Sequence, residues 1–141
     1  MQDTDSVYSV RWNENVTYGQ VRWQEEQQFS VYNFEMADVA MLWKMFELNE
    51  QECRRLLDGY RLLEAGEDRA RFPLLAAYDL VLKCSHLFNL LDSRGALSVT
   101  ERAAVIARVR SLACGVAAAY LEQPRPSNSF SSVPREATVA R

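Results

Sequence analysis

The stretch from Lys83 to Arg102 constrains the fold more than any other part of this chain. An apolar pattern with helical spacing (Leu87, Phe88, Leu90, Leu91) runs into a polar corner, and a second helix opens just beyond it. Ser98 and Glu101 stand three apart, the spacing of a capping box. The Ser98 hydroxyl can accept from the Glu101 backbone N–H, while the Glu101 carboxylate reaches back to the Ser98 N–H. Asn89, Asp92, Arg94 and Arg102 surround the corner, and each can form directional hydrogen bonds. Two helices joined by such a corner must pack on each other, so the chain is read as mainly α.

The rest of the chain supplies the partners. Residues 6–12 alternate, with Val7 and Ser9 on one side and Tyr8, Val10 and Trp12 on the other. Val16 to Trp23 is a second aromatic and β-branched run, and Asn13-Glu14-Asn15 reads as the turn between them. This predicts a short hairpin or two extended pieces, which needs helices to pack on. From about Asn33 to Ala65, Val39, Leu42, Trp43, Phe46, Cys53, Leu56, Leu57, Tyr60 and Leu63 follow helical spacing. Glu47, Glu50, Gln51, Arg54, Arg55 and Asp58 fill the other face, and Gly66 suits a C-cap. After the charged connector Glu67–Arg71, Pro73 fits the first turn of a helix reaching about Leu91. That helix is apolar on most sides and should be the central element. A third runs from Val99 to about Glu122 with Val105, Ile106, Val109, Leu112, Ala113, Val116, Ala117 and Tyr120 as its stripe. The prediction is an N-terminal extended segment (1–32), a three-helix bundle (33–122) and a disordered C-terminal tail (123–141). The tail is marked by Pro124, Pro126, Pro134 and intervening serines.

Composition excludes several functions. A chain of 141 residues suits one domain. A net charge of −3 gives no bulk positive field to hold RNA or DNA. The acidic start, Met1-Gln2-Asp3-Thr4-Asp5, reads as no signal peptide, and no apolar run is expected to approach membrane-spanning length. Cys53, Cys84 and Cys114 are few, odd in number and set among apolar residues, so they read as reduced core thiols of a cytoplasmic protein. No P-loop, dinucleotide-binding glycine pattern or zinc-ligand cluster occurs. No catalytic, cofactor-binding or metal-ligating residue is assigned. His86, the single histidine, reads as a hydrogen-bonded structural residue. Asn33 could cap the long helix with Glu35 in its first turn. Trp12, Trp23 and Trp43, with Tyr8, Tyr18 and Tyr32, read as core or as a surface meant to be covered.

The segment Ser85-His86-Leu87-Phe88-Asn89-Leu90-Leu91-Asp92-Ser93-Arg94 with Leu97-Ser98-Val99-Thr100-Glu101-Arg102 resembles the α subunit of bacterial heterotetrameric glycyl-tRNA synthetase, a class II enzyme. Upstream blocks match in the same order: Asp5-Ser6-Val7-Tyr8, Trp12-Asn13, Val16-Thr17-Tyr18-Gly19 and Tyr32-Asn33-Phe34-Glu35-Met36-Ala37-Asp38. The resemblance spans roughly Met1 to Glu122. It implies the C-terminal half of that subunit, whose ATP- and glycine-binding motifs lie N-terminal to the Asp5–Tyr8 block. It further implies glycylation of tRNA(Gly), with ATP and Mg²⁺ required by the intact enzyme. The implied partners are a β subunit, a second α subunit and tRNA, with neither membrane nor DNA.

On that resemblance, Arg94 and Arg102 become candidate contacts for tRNA or the β subunit. Asn89, Asp92, Ser98 and Glu101 form the structural corner that would present them. The residues equally allow a purely structural corner in which one arginine holds Asp92. A rival reading from another class is a free-standing helical interaction module with no part in aminoacylation.

Overall fold

The computed structural model describes residues 6–124. Five helices follow in order: α1 (Tyr18–Val31), α2 (Val39–Leu62), α3 (Glu67–Arg71), α4 (Leu74–Ser93) and α5 (Val99–Glu122). A 3₁₀ turn (Val7–Ser9) precedes α1, and a π-helical turn (Tyr32–Met36) separates it from α2. The fold is mainly α, and its core is the bundle of α2, α4 and α5. Of the predicted disordered tail (123–141), Gln123 is instead half-buried and hydrogen-bonded to the α3–α4 connection, and residues from 125 onward lie outside the described residues.

Leu42, Phe46, Cys53, Leu57 and Tyr60 of α2 meet Leu74, Ala77, Val81, Cys84, Leu87 and Leu91 of α4, and all are buried. Helix α5 adds Val105, Leu112, Val116 and Ala119. Gly115 lets α2 come close: a Cβ there would stand 3.0 Å from Leu57 Cδ1. Far-separated segments are tied at the end of α5. The Gln123 amide donates to the carbonyls of Arg69 (3.1 Å), Ala70 (3.2 Å) and Phe72 (2.9 Å). Arg69 also pairs with Glu122 at 3.0 Å and lies over the Tyr60 ring.

The hairpin does not form. Among the described residues there is no strand, only an isolated antiparallel bridge between Arg11 and Thr17. The reversal at residues 13–15 is real: Asn13 Oδ1 accepts from the N–H groups of Asn15 (2.9 Å) and Val16 (3.1 Å). Its second limb is helical because Thr17 and Gln20 make a reciprocal capping box. That box, followed by the helix-forming run Gln24–Gln28, outweighs the local β preference. Gly19 allows the Val7–Ser9 turn to lie on α1, since a Cβ would stand 2.8 Å from the Tyr8 carbonyl oxygen.

Helix α2 begins at Asp38 rather than Asn33, because the Asp38 carboxylate accepts from the Met41 N–H at 2.7 Å. Asn33 and Glu35 belong to the wide turn, closed by Ala37 N–H to the Tyr32 carbonyl at 2.8 Å. Gly66 opens α3 instead of closing α2. Pro73 stands one place before α4, at its N-cap. Helix α5 matches its predicted span, but its stripe is narrower than read: Ile106, Ala113, Ala117 and Tyr120 are exposed. Against the expectation that no apolar run approaches membrane-spanning length, α5 (Val99–Glu122) and the stretch Glu67–Ser93, which joins α3 and α4 across Phe72–Pro73, are long and apolar enough to cross a membrane by length and composition alone.

Candidate functional site

Helix α4 ends in a Schellman motif. Ala96 N–H donates to the Leu91 carbonyl and Gly95 N–H to the Asp92 carbonyl, both at 3.0 Å. Gly95 has φ 65°, the left-handed conformation that glycine adopts without a Cβ penalty. Three residues later the capping box starts α5. Ser98 Oγ accepts from Glu101 N–H at 3.2 Å, and Glu101 Oε2 accepts from Ser98 N–H at 2.8 Å. Bonding to the Ser98 backbone N–H holds the Glu101 carboxyl below its usual range. Both helix ends are therefore satisfied within six residues of chain, and the corner is stiff.

Arg102 spans this corner. Its Nη2 lies 3.0 Å from Asp92 Oδ2, joining α5 back to α4. The open question of which arginine holds Asp92 is settled for Arg102. Arg94 is half-buried, and its Nη1 is enclosed with no hydrogen-bond partner among the described residues. Asn89 is exposed on the outer side of α4. The structure brings Asp92, Arg102, Ser98 and Glu101 together, with Arg94 beside them in sequence.

A second polar cluster escaped the sequence reading. Glu50 is only 8% exposed, in the middle of the bundle. Arg108 of α5 donates to it through Nε (3.1 Å to Oε1) and Nη2 (to Oε2), a two-point grip. Arg54, one turn along α2, donates to Oε1 at 2.8 Å. The Arg108 guanidinium also lies 4.8 Å from the centre of the Phe46 ring. The hydrogen bonds from Arg108 lower the Glu50 carboxyl pKa against the raising effect of burial. The signal was present in the sequence. Glu50 follows Phe46 by four and precedes Cys53 by three, so it stands on the buried row of α2. Arg108 stands between Val105 and Leu112 on the corresponding row of α5.

Other candidates resolve differently from expectation. His86 is exposed and makes no side-chain hydrogen bond among the described residues. It borders a shallow groove of about 380 Å³ beside Met45, Leu82 and Leu87, so it is no hydrogen-bonded core histidine. Its helical position turns it off the packed row that Cys84 and Leu87 occupy. Cys53 and Cys84 are buried, and burial pushes the Cys84 thiol up to about 11. Cys114 is exposed, because it stands on the outward side of α5. The N-terminal aromatics form a small surface network. Tyr8 and Tyr18 both donate to the Glu26 carboxylate (2.8 and 2.6 Å), and Tyr8 meets Trp23 edge-on at 4.8 Å. Trp12 and Trp23 remain half-exposed, and α1 buries no residue.

Both polar clusters lie inside the part of the chain that matches a known family. Residues 1–125 match the family model described as the glycyl-tRNA synthetase alpha subunit. The chain belongs to that family. Membership places it with the tRNA ligases of protein biosynthesis and implies β and α partner subunits. The match includes Ser98–Arg102, so the capping box and the arginine corner are features of a synthetase-family domain.

Two predictions follow from these geometries. Ser98→Ala is expected to destabilise the bundle by about 1 kcal/mol, and Glu101→Ala by less. The double variant should lose less than the sum of the two in chemical denaturation; strict additivity would contradict a reciprocal box. For the ion pair, Glu50→Ala leaves Arg108 without its acceptor and should cost about 3 kcal/mol. Glu50→Met combined with Arg108→Met should recover most of that loss. Glu50 has a lowered folded-state pKa. Its stabilisation is therefore complete above the unfolded value of about 4.3 and is lost as pH falls through the folded value. Acid melting curves of wild type and the double Met variant should converge in that window.

Proposed function

We propose that this chain is the helical support region of a glycine–tRNA ligase α subunit, contributing architecture rather than bond-making chemistry to ATP-dependent glycylation of tRNA(Gly) in the cytoplasm. The observation that carries the reading is the family match over residues 1–125. In this reading a class II core belonging to the region N-terminal to Asp5-Ser6-Val7-Tyr8 binds ATP, Mg²⁺ and glycine. The described residues do not fit that cofactor set. They hold no group of three His, Cys, Asp or Glu side chains able to take a metal ion, and the sequence has no glycine-rich phosphate loop. No step of the reaction is therefore assigned to them.

Three local roles remain for the chain. The exposed aromatic surface of the N-terminal segment, with Trp12, Phe29 and Phe34, suits a neighbouring catalytic domain that would cover it. The bundle of α2, α4 and α5 serves as a rigid post. The α4–α5 corner presents arginines to tRNA or to the β subunit. A net-acidic chain that touches RNA must do so through particular guanidinium groups, whose paired donors match phosphate oxygens. Arg94 is the stronger candidate, because Arg102 already holds Asp92. Arg102 retains a half-exposed side chain that can contribute beside it.

The test has two parts. Purified chain with glycine, ATP and Mg²⁺ should give only background pyrophosphate exchange. Glycine-dependent exchange by the chain alone would place the chemistry here. In an enzyme assembled with a class II core and a β subunit, Arg94→Ala should lower aminoacylation while exchange and melting temperature stay nearly unchanged. A parallel fall of both activities with stability would make the arginine structural.

A further inference from the structure

Helices α4 and α5 leave an apolar groove of about 290 Å³ between them, near the end of the bundle where the described chain stops. Leu74 and Val116 form its buried floor. Leu75, Tyr78 and Tyr120 stand at its sides, with Leu75 73% and Tyr120 60% exposed. Ala113 lines the far end on α5 without filling it. No charged side chain lines this space, so its chemistry suits an apolar or aromatic group.

The chain is tethered at the mouth of this groove. The Gln123 amide is fixed on the carbonyls of Arg69, Ala70 and Phe72, the last of them two residues before Leu74. Glu122 is held there by Arg69. Gln123 has an extended backbone (φ −67°, ψ 123°), which breaks α5, and Pro124 cannot resume it. The segment that begins at Arg125 therefore leaves from a fixed point beside the first turn of α4. We propose that the groove is the docking site of this C-terminal segment of the same chain, with the Phe130 ring as the group that occupies it. The inference rests on the groove and the tether and not on the synthetase reading.

Reach and sequence favour that occupant. Beyond Pro124 the chain has one aromatic residue, Phe130. Seven residues of extended chain from Gln123 span up to about 25 Å. The groove wall from Tyr120 back to Ala113 is only about 10 Å long at 1.5 Å per residue. The segment can thus leave the end of α5, reverse at Ser127-Asn128-Ser129, and return Phe130 to the groove. Serine and asparagine are the residue types that favour such a reversal. A segment so poor in apolar residues builds no core of its own, so a preformed apolar surface is what could order it. Tethering does the rest. A short flexible link gives an effective concentration in the millimolar range, so a contact too weak to hold a free peptide is still populated. A separate molecule at micromolar concentration would compete at roughly a thousandfold disadvantage.

The experiment is NMR of the full chain with isotope-labelled leucine, valine and phenylalanine. Wild type should show nuclear Overhauser contacts from the Phe130 ring to the methyl groups of Leu75 and Val116. Phe130→Ala should abolish them and move those methyl resonances as the ring current is lost. It should also raise the fluorescence of anilinonaphthalenesulfonate several-fold, because the dye gains the vacated groove. Leu75→Asp approaches from the other side. That side chain is exposed in the bundle, so the chain should still fold while Phe130 loses its contacts with Val116. The wild-type contacts should survive roughly hundredfold dilution, as an intramolecular contact requires. Absence of contacts in wild type, or methyl resonances indifferent to Phe130→Ala, would overturn the proposal. So would contacts that vanish on dilution, since the occupant would then be another molecule.

Discussion

The carboxylate of Glu50 is the interaction on which the rest of the bundle depends. It stands on the packed face of α2, where every other neighbour in its row is apolar. A lone charge there would be untenable. It is tolerated because Arg108, 58 residues away in sequence, grips both oxygens and Arg54 takes a third bond. The pair works in both directions. It removes the penalty for Glu50, and it fixes the rotation and height of α5 against α2. An apolar contact at the same place would tolerate sliding, whereas a two-point guanidinium–carboxylate grip admits one register. The Phe46 ring beneath Arg108 shields the pair further.

That register reaches the α4–α5 corner. With α5 held by Arg108 and its first turn fixed by Ser98 and Glu101, Arg102 comes within 3.0 Å of Asp92. At the opposite end, Gln123 and Arg69 anchor the last turn of α5 to the α3–α4 connection. The bundle is thus a body with both ends tied. The N-terminal segment is built differently. Its aromatic residues bond mainly to one another and to Glu26, and α1 packs chiefly on the turns that flank it.

Much of this was legible in the sequence. The Ser98–Glu101 box and the Val99–Glu122 span stand as read, because capping chemistry is local and α5 has a clear start. The three bundle helices were legible from their spacing. Two failures share one cause. Thr17–Gln20 is a helix-start box equal to Ser98–Glu101, and Asp38 is a simple carboxylate cap, but aromatic β-formers surround the first and a second candidate cap, Asn33, precedes the other. Glu50, expected on the outer polar face of its helix, is instead buried, because its position on the packed row outweighs its residue type; Arg108 received no role from the sequence. The α5 stripe was overestimated because alanines occur on all sides of that helix, so its period is weak. The orphaned nitrogen of Arg94 depends on how side chains fold around the corner, and no spacing rule carries that.

Native-state amide hydrogen exchange on the intact chain tests the central claim most directly, namely that α2, α4 and α5 form one cooperative body locked by Glu50 and Arg108. The account predicts that amides near Phe46, Leu87 and Leu112 exchange only through a common opening at the global unfolding free energy, while those of α1 exchange far faster. Exchange from α5 well ahead of α2 and α4, or α1 amides protected as strongly as the bundle, would contradict it.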